Sequence, residues 1–242
     1  MRRFYASPTQ FQSGSVLLDL HETRHLRDVL RLREGAVVQV FDGEGKEFLC
    51  EIEQTDKKET ALKIQNQIAP PAAESELNLT LAVALLKSEK FDLVVQKAVE
   101  LGVTKIVPLL TKRCDIKIRD AKDFEKKSER WRKITLEAAK QSGRAKLMEI
   151  GTLFEFENFI ELQSNDAKIL FAERGGEGFA EIKAGKNITA ITGAEGGWED
   201  SEIEAARAEG FQIVTFGGRI LRAETAAITV AGILQNQFGD LT

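Results

Sequence analysis

The residues best suited to chemistry lie in three glycine-bearing loops. They are Glu173-Arg174-Gly175-Gly176-Glu177-Gly178, Gly193-Ala194-Glu195-Gly196-Gly197-Trp198 and Gly217-Gly218-Arg219. The last runs on into Ile220-Leu221-Arg222-Ala223-Glu224-Thr225. Each loop follows an apolar run, at 168–172, 188–192 and 211–216, that reads as a buried strand. In a parallel sheet such loops sit at the carboxyl ends of the strands, where small molecules bind. Glycine lets a ligand approach the backbone closely. Glu173, Glu195 and Glu224 would repel a pyrophosphate. Ribose hydroxyls and a cationic centre would instead meet them through charge-assisted hydrogen bonds and Coulomb attraction. S-adenosylmethionine has both features. The plainer role of Glu195 and Glu224 is that of carboxylates at helix termini, favoured by the helix dipole. Both readings stay open at this level.

Other chemistries are excluded by pattern. GxxxxGK[ST] is absent, because Gly185-Lys186 is preceded by Ala180 where a glycine is needed. GxGxxG fails too, since Gly176-Glu177-Gly178 leads to Glu181 and Gly43-Glu44-Gly45 to Phe48. Both histidines, His21 and His25, precede residue 70, so the second half holds no Ser–His or Cys–His nucleophile. The cysteines, Cys50 and Cys114, form no CxxC, which argues against a disulfide framework and structural zinc. His21 and His25 are four apart on an expected helix, but no carboxylate or cysteine pattern completes a metal site. No metal is expected.

These loops need a scaffold, and the chain divides to provide one. Two prolines within Ile68-Ala69-Pro70-Pro71-Ala72-Ala73-Glu74-Ser75-Glu76 mark a stiff connector. Before it, runs at 35–41, 47–53 and 60–67 read as strands, with Asp42-Gly43-Glu44-Gly45 as hairpin chemistry. A helix is expected at 22–32, with Leu26, Val29 and Leu30 on one face and Gly35 beyond its end. This predicts a small β-barrel-like domain over 1–70. Arg24, Arg27, Arg31 and Arg33 cluster on the helix and its exit, near Arg2 and Arg3. After the connector, strand runs at 79–86 and 105–110 alternate with helical spacing at Phe91, Val94, Val95, Ala98 and Val99. Pro108 marks an edge or a strand end. Trp131, Ile134, Ala138 and Ala139 mark a long basic helix. Ser201-x-x-Glu204 predicts a capping box for a helix ended by Gly210. Ala226, Val230, Ile233 and Leu234 mark the last helix. The series is βαβαβ, hence an α/β domain over 74–242 with a mainly parallel sheet.

The 242 residues suffice for one large domain or for two, one of them small. No apolar run reaches the roughly 18 residues of a membrane span. Met1-Arg2-Arg3-Phe4-Tyr5 is followed by polar residues and lacks the apolar core of a signal peptide, so a cytoplasmic location is expected. The net charge of -4 conceals an asymmetry. Residues 112–146 hold 13 Lys/Arg against 6 Asp/Glu, whereas 147–210 hold 5 against 14. A basic segment of this kind is a candidate phosphate-contact surface. Its plainer reading is a solvated helix face.

Two segments carry a family resemblance: Thr192-Gly193-Ala194-Glu195-Gly196-Gly197-Trp198, and Phe216 through Ala226. They resemble signature segments of bacterial 16S ribosomal RNA uridine-N3 methyltransferases of the SPOUT superfamily. The resemblance extends to Arg3-Phe4, His25-Leu26-x-x-Val29-Leu30-Arg31-Leu32-x-x-Gly35 and Gln96-Lys97-Ala98-Val99-Glu100-Leu101-Gly102-Val103. It also takes in Thr111-x-Arg113 and Glu137-Ala138-Ala139-x-Gln141-Ser142-x-Arg144. It implies a PUA-like RNA-binding barrel, then a SPOUT-type parallel sheet whose C-terminal segment forms a trefoil knot, and a homodimer. The implied reaction moves a methyl from S-adenosylmethionine to N3 of a uridine in 16S ribosomal RNA of the small subunit. The implied donor contacts are Phe171, Glu173, Thr192, Gly193, Glu195, Gly196, Gly197, Phe216, Gly217, Ile220, Leu221 and Thr225. Arg222, Glu224 and Arg144 are the implied catalytic candidates, with Arg222 first for stabilising anionic uridine. Arg3, Arg24, Arg27, Arg31 and Arg113 are the expected RNA contacts. Ala194 stands where the family usually has proline, and Trp198 where it has phenylalanine. The competing readings are a related methyltransferase acting on another RNA base and a non-catalytic RNA-binding ribosome-assembly protein.

Overall fold

The structure is a computed structural model and describes residues 2–182 and 185–241. The chain forms two compact units, Met1–Glu74 with Leu136–Leu147, and Ser75–Thr135 with Met148–Thr242.

The first unit contains β1 (Arg3–Tyr5), β2 (Phe11–Gln12), β3 (Ser15–Leu18), α1 (Leu20–Arg24), β4 (Val37–Phe41), β5 (Glu47–Thr55) and β6 (Thr60–Ile68). They make a six-stranded sheet in the order β1-β4-β5-β6-β3-β2. Register shifts in the β5–β6 pair, at Leu49/Cys50 and Ile52/Gln54, bend the long hairpin. Alternation then points Val38, Val40, Cys50, Ile52 and Leu62 into one core with Phe4, Val16, Leu18 and Leu26. Asp42 shapes the β4–β5 turn, its carboxylate accepting from the N–H groups of Glu44 (2.7 Å) and Lys46 (3.0 Å).

The expected helix at 22–32 is corrected. Asp19 caps α1 through the Glu22 N–H. After Arg24 the helix widens into one π turn, His25–Val29. That extra residue per turn rotates Val29 out, leaving it 68% exposed rather than on the apolar face. The helical segment ends at Val29, with Leu30 as its cap, rather than at Leu32. The Leu32 N–H reaches back six residues to the Leu26 carbonyl, a C-terminal closing motif widened by the π turn. Arg31 takes the left-handed position of that motif, with φ 53°.

The second unit contains β7 (Asn78–Ala84), α2 (Ser88–Glu100), β8 (Lys105–Leu110), α3 (Ala121–Ser142), β9 (Glu149–Ile150), β10 (Phe154–Glu155) and α4 (Phe156–Glu161). There follow β11 (Ala167–Ala172), β12 (Asn187–Thr192), α5 (Asp200–Ala208), β13 (Gln212–Thr215) and α6 (Ala223–Phe238). The last turns of α3 fall in the first unit. The sheet runs β10-β8-β7-β12-β11-β13, with β9 also on β8, and every pairing is parallel. Phe91, Val94, Val95, Ala98 and Val99 of α2 are all buried. Each large apolar side chain buried this way contributes about 1.5–3 kcal/mol. Gly102, at φ 73°, turns the chain beyond α2.

Pro108 sits inside β8, between β7 and the short partners β9 and β10. The Ile106 carbonyl accepts from Gly151 on the β9 flank. Pro108, two residues on, faces the same flank, in the gap between the β9 and β10 pairings. Its missing N–H therefore leaves no ladder bond unmade. The α5 cap is also corrected. Glu199 and Glu202 form the capping box, two residues before the expected Ser201 and Glu204.

Candidate functional site

Parallel pairing brings the three glycine loops together. Phe171 at the end of β11 stands in register with Thr192 on β12 and Val214 on β13. The loops beyond enclose a cavity of about 720 Å³ in the second unit. That is within the usual range for a small-molecule site. Phe171 and Phe216 line it and stack with Phe179 in a nearly parallel trio, with centroids 5.4–5.8 Å apart. Such faces offer an aromatic ligand a flat apolar surface.

The loop after β12 is held by packing that only glycine permits. A Cβ on Gly193 would lie 2.9 Å from the Trp198 ring, and one on Gly197 would lie 2.7 Å from the Glu173 carboxylate. Gly197 also has φ 70°, and its N–H closes the turn on the Ala194 carbonyl at 3.0 Å. Trp198 is 1% exposed, packs on Phe156 and donates its indole N–H to the Phe171 carbonyl at 2.9 Å. Arg174 ties the neighbouring loop to this one, donating to the Trp198 carbonyl (2.9 Å) and to Asp200 (2.6 Å). That hydrogen bond from Arg174 holds the Asp200 carboxyl below its ordinary range. Arg113 donates to the Gly196 carbonyl at 3.1 Å from the other side.

The segment after β13 is different. Among the described residues, the backbone of 217–221 makes no hydrogen bond to the rest of the chain. Its N–H and C=O groups are therefore open to a ligand. A Cβ on Gly217 or Gly218 would meet nothing within 4 Å. Arg222 then caps α6 from an extended conformation, its carbonyl accepting from Ala226 at 2.8 Å. The Arg222 side chain is exposed, lines the cavity and has no ion-pair partner among the described residues.

Of the expected donor contacts, Phe171, Glu173, Gly193, Glu195, Gly196, Gly197, Phe216, Ile220 and Leu221 line the cavity. Thr192, Gly217 and Thr225 are not among its lining residues. Thr192 is buried at the end of β12, its hydroxyl without a hydrogen-bond partner. Of the catalytic candidates, only Arg222 lines the cavity. Glu224 lies in the first turn of α6. Arg144 belongs to the first unit, where it is 5% exposed and donates to Glu74 at 2.8 Å.

Lys90 was not singled out by any sequence motif, yet it lines the cavity and pairs with Glu195. Its nitrogen also lies 3.6 Å from the Glu224 carboxylate. The hydrogen bond to Glu195 holds the Lys90 ammonium above the ordinary lysine range, and the charges of Glu195 and Glu224 add to this. One signal was available, because Lys90 follows the carboxyl end of a fully buried strand, as the glycine loops do.

The expected RNA contacts fall into three environments. Arg24 and Arg27 line a shallow basin of the first unit with Thr55, Asp56 and Lys57. Arg31 is exposed beside them in sequence. Arg113 braces the loop after β12 in the second unit. Arg3 is redirected inward. Its five N–H groups all donate within the first unit, to Glu47 and to the carbonyls of Ala139, Lys140 and Arg144. None remains for a phosphate. His21 Nδ1 lies 3.7 Å from the Glu22 carboxylate, and no group of three or more potential metal ligands occurs among the described residues. Among the described residues, no helix is long and apolar enough to cross a membrane.

Comparison with known proteins agrees with this geometry. Residues 73–235 match the RNA methyltransferase domain model, and residues 17–65 match the RNA methyltransferase PUA domain model. A methyltransferase of Legionella pneumophila, solved with the cofactor SAM bound, superposes with a TM-score of 0.91 at 33% identity, covering 99% of this chain and 98% of that one. Ribosomal RNA small subunit methyltransferase E of Neisseria gonorrhoeae, bound to S-adenosyl methionine, gives a TM-score of 0.90 at 32% identity, with both chains covered completely at 100%. The same enzyme of Mesomycoplasma hyopneumoniae is 33% identical over 230 residues, 94% of this chain and 96% of that protein. Two domain models in tandem and full-length relatives agree: the chain belongs to the ribosomal RNA small subunit methyltransferase E family.

Proposed function

We propose that this protein transfers a methyl group from S-adenosylmethionine to N3 of a uridine in 16S ribosomal RNA of the small subunit, acting in the cytoplasm. The observation that carries the donor assignment is the open backbone of 217–221 facing an aromatic and carboxylate-lined cavity. Unpaired backbone groups suit ribose and amino-acid moieties, and Phe171 and Phe216 suit a purine. When bound, S-adenosylmethionine supplies an activated methyl on a sulfonium. The chain's own part is positioning, because in-line displacement gains most from alignment. Arg222 is placed to stabilise the negative charge that spreads onto the uracil carbonyls as the N3 proton leaves.

The first unit serves as the RNA-binding domain over 1–70 in this reading, its basic basin at Arg24 and Arg27 meeting phosphates. The methyltransferase domain spans 74–242. A homodimer and a trefoil knot in the C-terminal segment complete the proposal. The strand order supports the knot: β12 lies inside β11 and β13 outside it, so the connection from β12 to β13 crosses the chain's own earlier strand.

The decisive experiment incubates the purified protein with labelled S-adenosylmethionine and small subunits lacking the modification. Label on uridine N3, mapped by mass spectrometry, is the expected result. A product on another base would favour the related-methyltransferase reading. Donor binding without transfer, on naked RNA and subunits alike, would favour the ribosome-assembly reading.

A further inference from the structure

Lys90 joins three elements at the donor cavity. It lies on α2, pairs with Glu195 of the loop after β12, and approaches Glu224 in the first turn of α6. Lys90 and Glu195 line the cavity, whereas Glu224 Oε2 is buried without a hydrogen-bond partner. Behind Lys90, Glu224 thus has the ammonium as its nearest compensating charge. A cation entering the cavity meets Glu195 already paired.

We propose that Lys90 sets the charge preference of the donor pocket: by engaging Glu195 and Glu224 it prevents them from favouring a cationic ligand over a neutral one of the same shape. The proposal rests on the S-adenosylmethionine reading above. The reason is kinetic. Positive charge at sulfur is greatest before transfer and falls as the carbon–sulfur bond breaks and its electron pair returns to sulfur. Unpaired carboxylates facing that charge would stabilise the ground state more than the transition state, which tightens binding and slows turnover. Lys90 is therefore a positioning residue, and Glu224 is its buried anchor.

The test is calorimetry of the full-length protein with S-adenosylmethionine and with the neutral product S-adenosylhomocysteine. Lys90→Met should raise the preference for the cationic donor over the product by about tenfold, the size of one ion-pair interaction. Turnover of the same variant should fall while its KM for donor falls too. Lys90→Arg should keep the wild-type preference within about twofold, since the charge is retained. Glu195→Gln should move the preference the other way. If both affinities drop equally in Lys90→Met, or the preference for the donor falls, the proposal is overturned. Should Lys90→Met fail to fold, the Arg and Gln variants decide by the same ratio. Wild-type protein that binds neither compound would overturn the donor reading itself, a result distinct from an unchanged ratio.

Discussion

Arg3 holds Glu47 in a bidentate ion pair, with both N–H···O distances at 2.9 Å and side-chain exposures of 8% and 0%. Its guanidinium also lies 4.2 Å from the centre of the Phe41 ring. The remaining donors reach the carbonyls of Ala139, Lys140 and Arg144. Those of Ala139 and Lys140 belong to the last turn of α3, where the dipole is negative, and the Ala139 carbonyl accepts from the Gly143 N–H as well. One arginine thus finishes a helix and neutralises a buried carboxylate.

Arg3→Ala should destabilise the protein by about 3–5 kcal/mol, because Glu47 is left as a buried, unpaired charge. Arg3→Ala/Glu47→Leu together should cost less than Arg3→Ala alone. Urea denaturation of the set measures this. Equal losses in the single and double variants would show that Glu47 gains nothing from Arg3.

Arg31 occupies a left-handed conformation that costs a non-glycine residue roughly 1–2 kcal/mol. Arg31→Gly should raise stability by about 0.5–1 kcal/mol, part of the relief being lost to the freer unfolded chain. RNA affinity should fall and become less steep in salt, by about one phosphate contact. Melting curves and filter binding across salt concentrations check both halves.

Trp198 donates to the Phe171 carbonyl from a fully buried position. Trp198→Phe keeps an aromatic ring but removes this hydrogen bond. The orphaned carbonyl and lost volume should cost about 1–3 kcal/mol. Donor affinity should weaken several-fold, because Phe171 and Gly193 are both set by the indole. Calorimetric titration compares the two proteins.

Arg222 lines the cavity and has no ion-pair partner among the described residues. Arg222→Ala should lower kcat about 100-fold, the effect of losing one charge-stabilising donor, with donor affinity nearly unchanged. Equal loss of both would make its role structural.

Both thiols should be protonated at neutral pH, and the two should differ in access. Burial pushes the Cys50 thiol up to about 12, and Cys114 is also raised by burial. Cys50 should react with a thiol-specific disulfide reagent at pH 8 only on unfolding, since the thiolate is the reactive form. Half-buried Cys114 should react slowly in the native state. Mass spectrometry of the labelled protein assigns each rate.

Much of the second unit was legible in the sequence. Strands buried on both faces need continuous apolar runs, so β7, β8, β11, β12 and β13 announced themselves, and the glycine loops followed from their ends. The first unit was harder to read. β1 and β2 are two or three residues long, too short for periodicity, and exist only because neighbours pair with them. The π turn at His25–Val29 and the left-handed Arg31 follow from how the helix must end against the core, which no local propensity encodes.

The same division runs through the site. Residue types and spacing determined that three loops with glycines and carboxylates would share one sheet edge. Only tertiary structure decided which charges meet there. Lys90 and Glu195 are 105 residues apart, Arg3 and Glu47 are 44 apart, and each pair is fixed by strand order and helix packing rather than by proximity in the chain. Coulomb energy depends on distance and dielectric, and both are set by the fold. The sequence therefore named the charged groups, and packing decided that Arg3 would brace a helix and Lys90 would stand at the donor cavity.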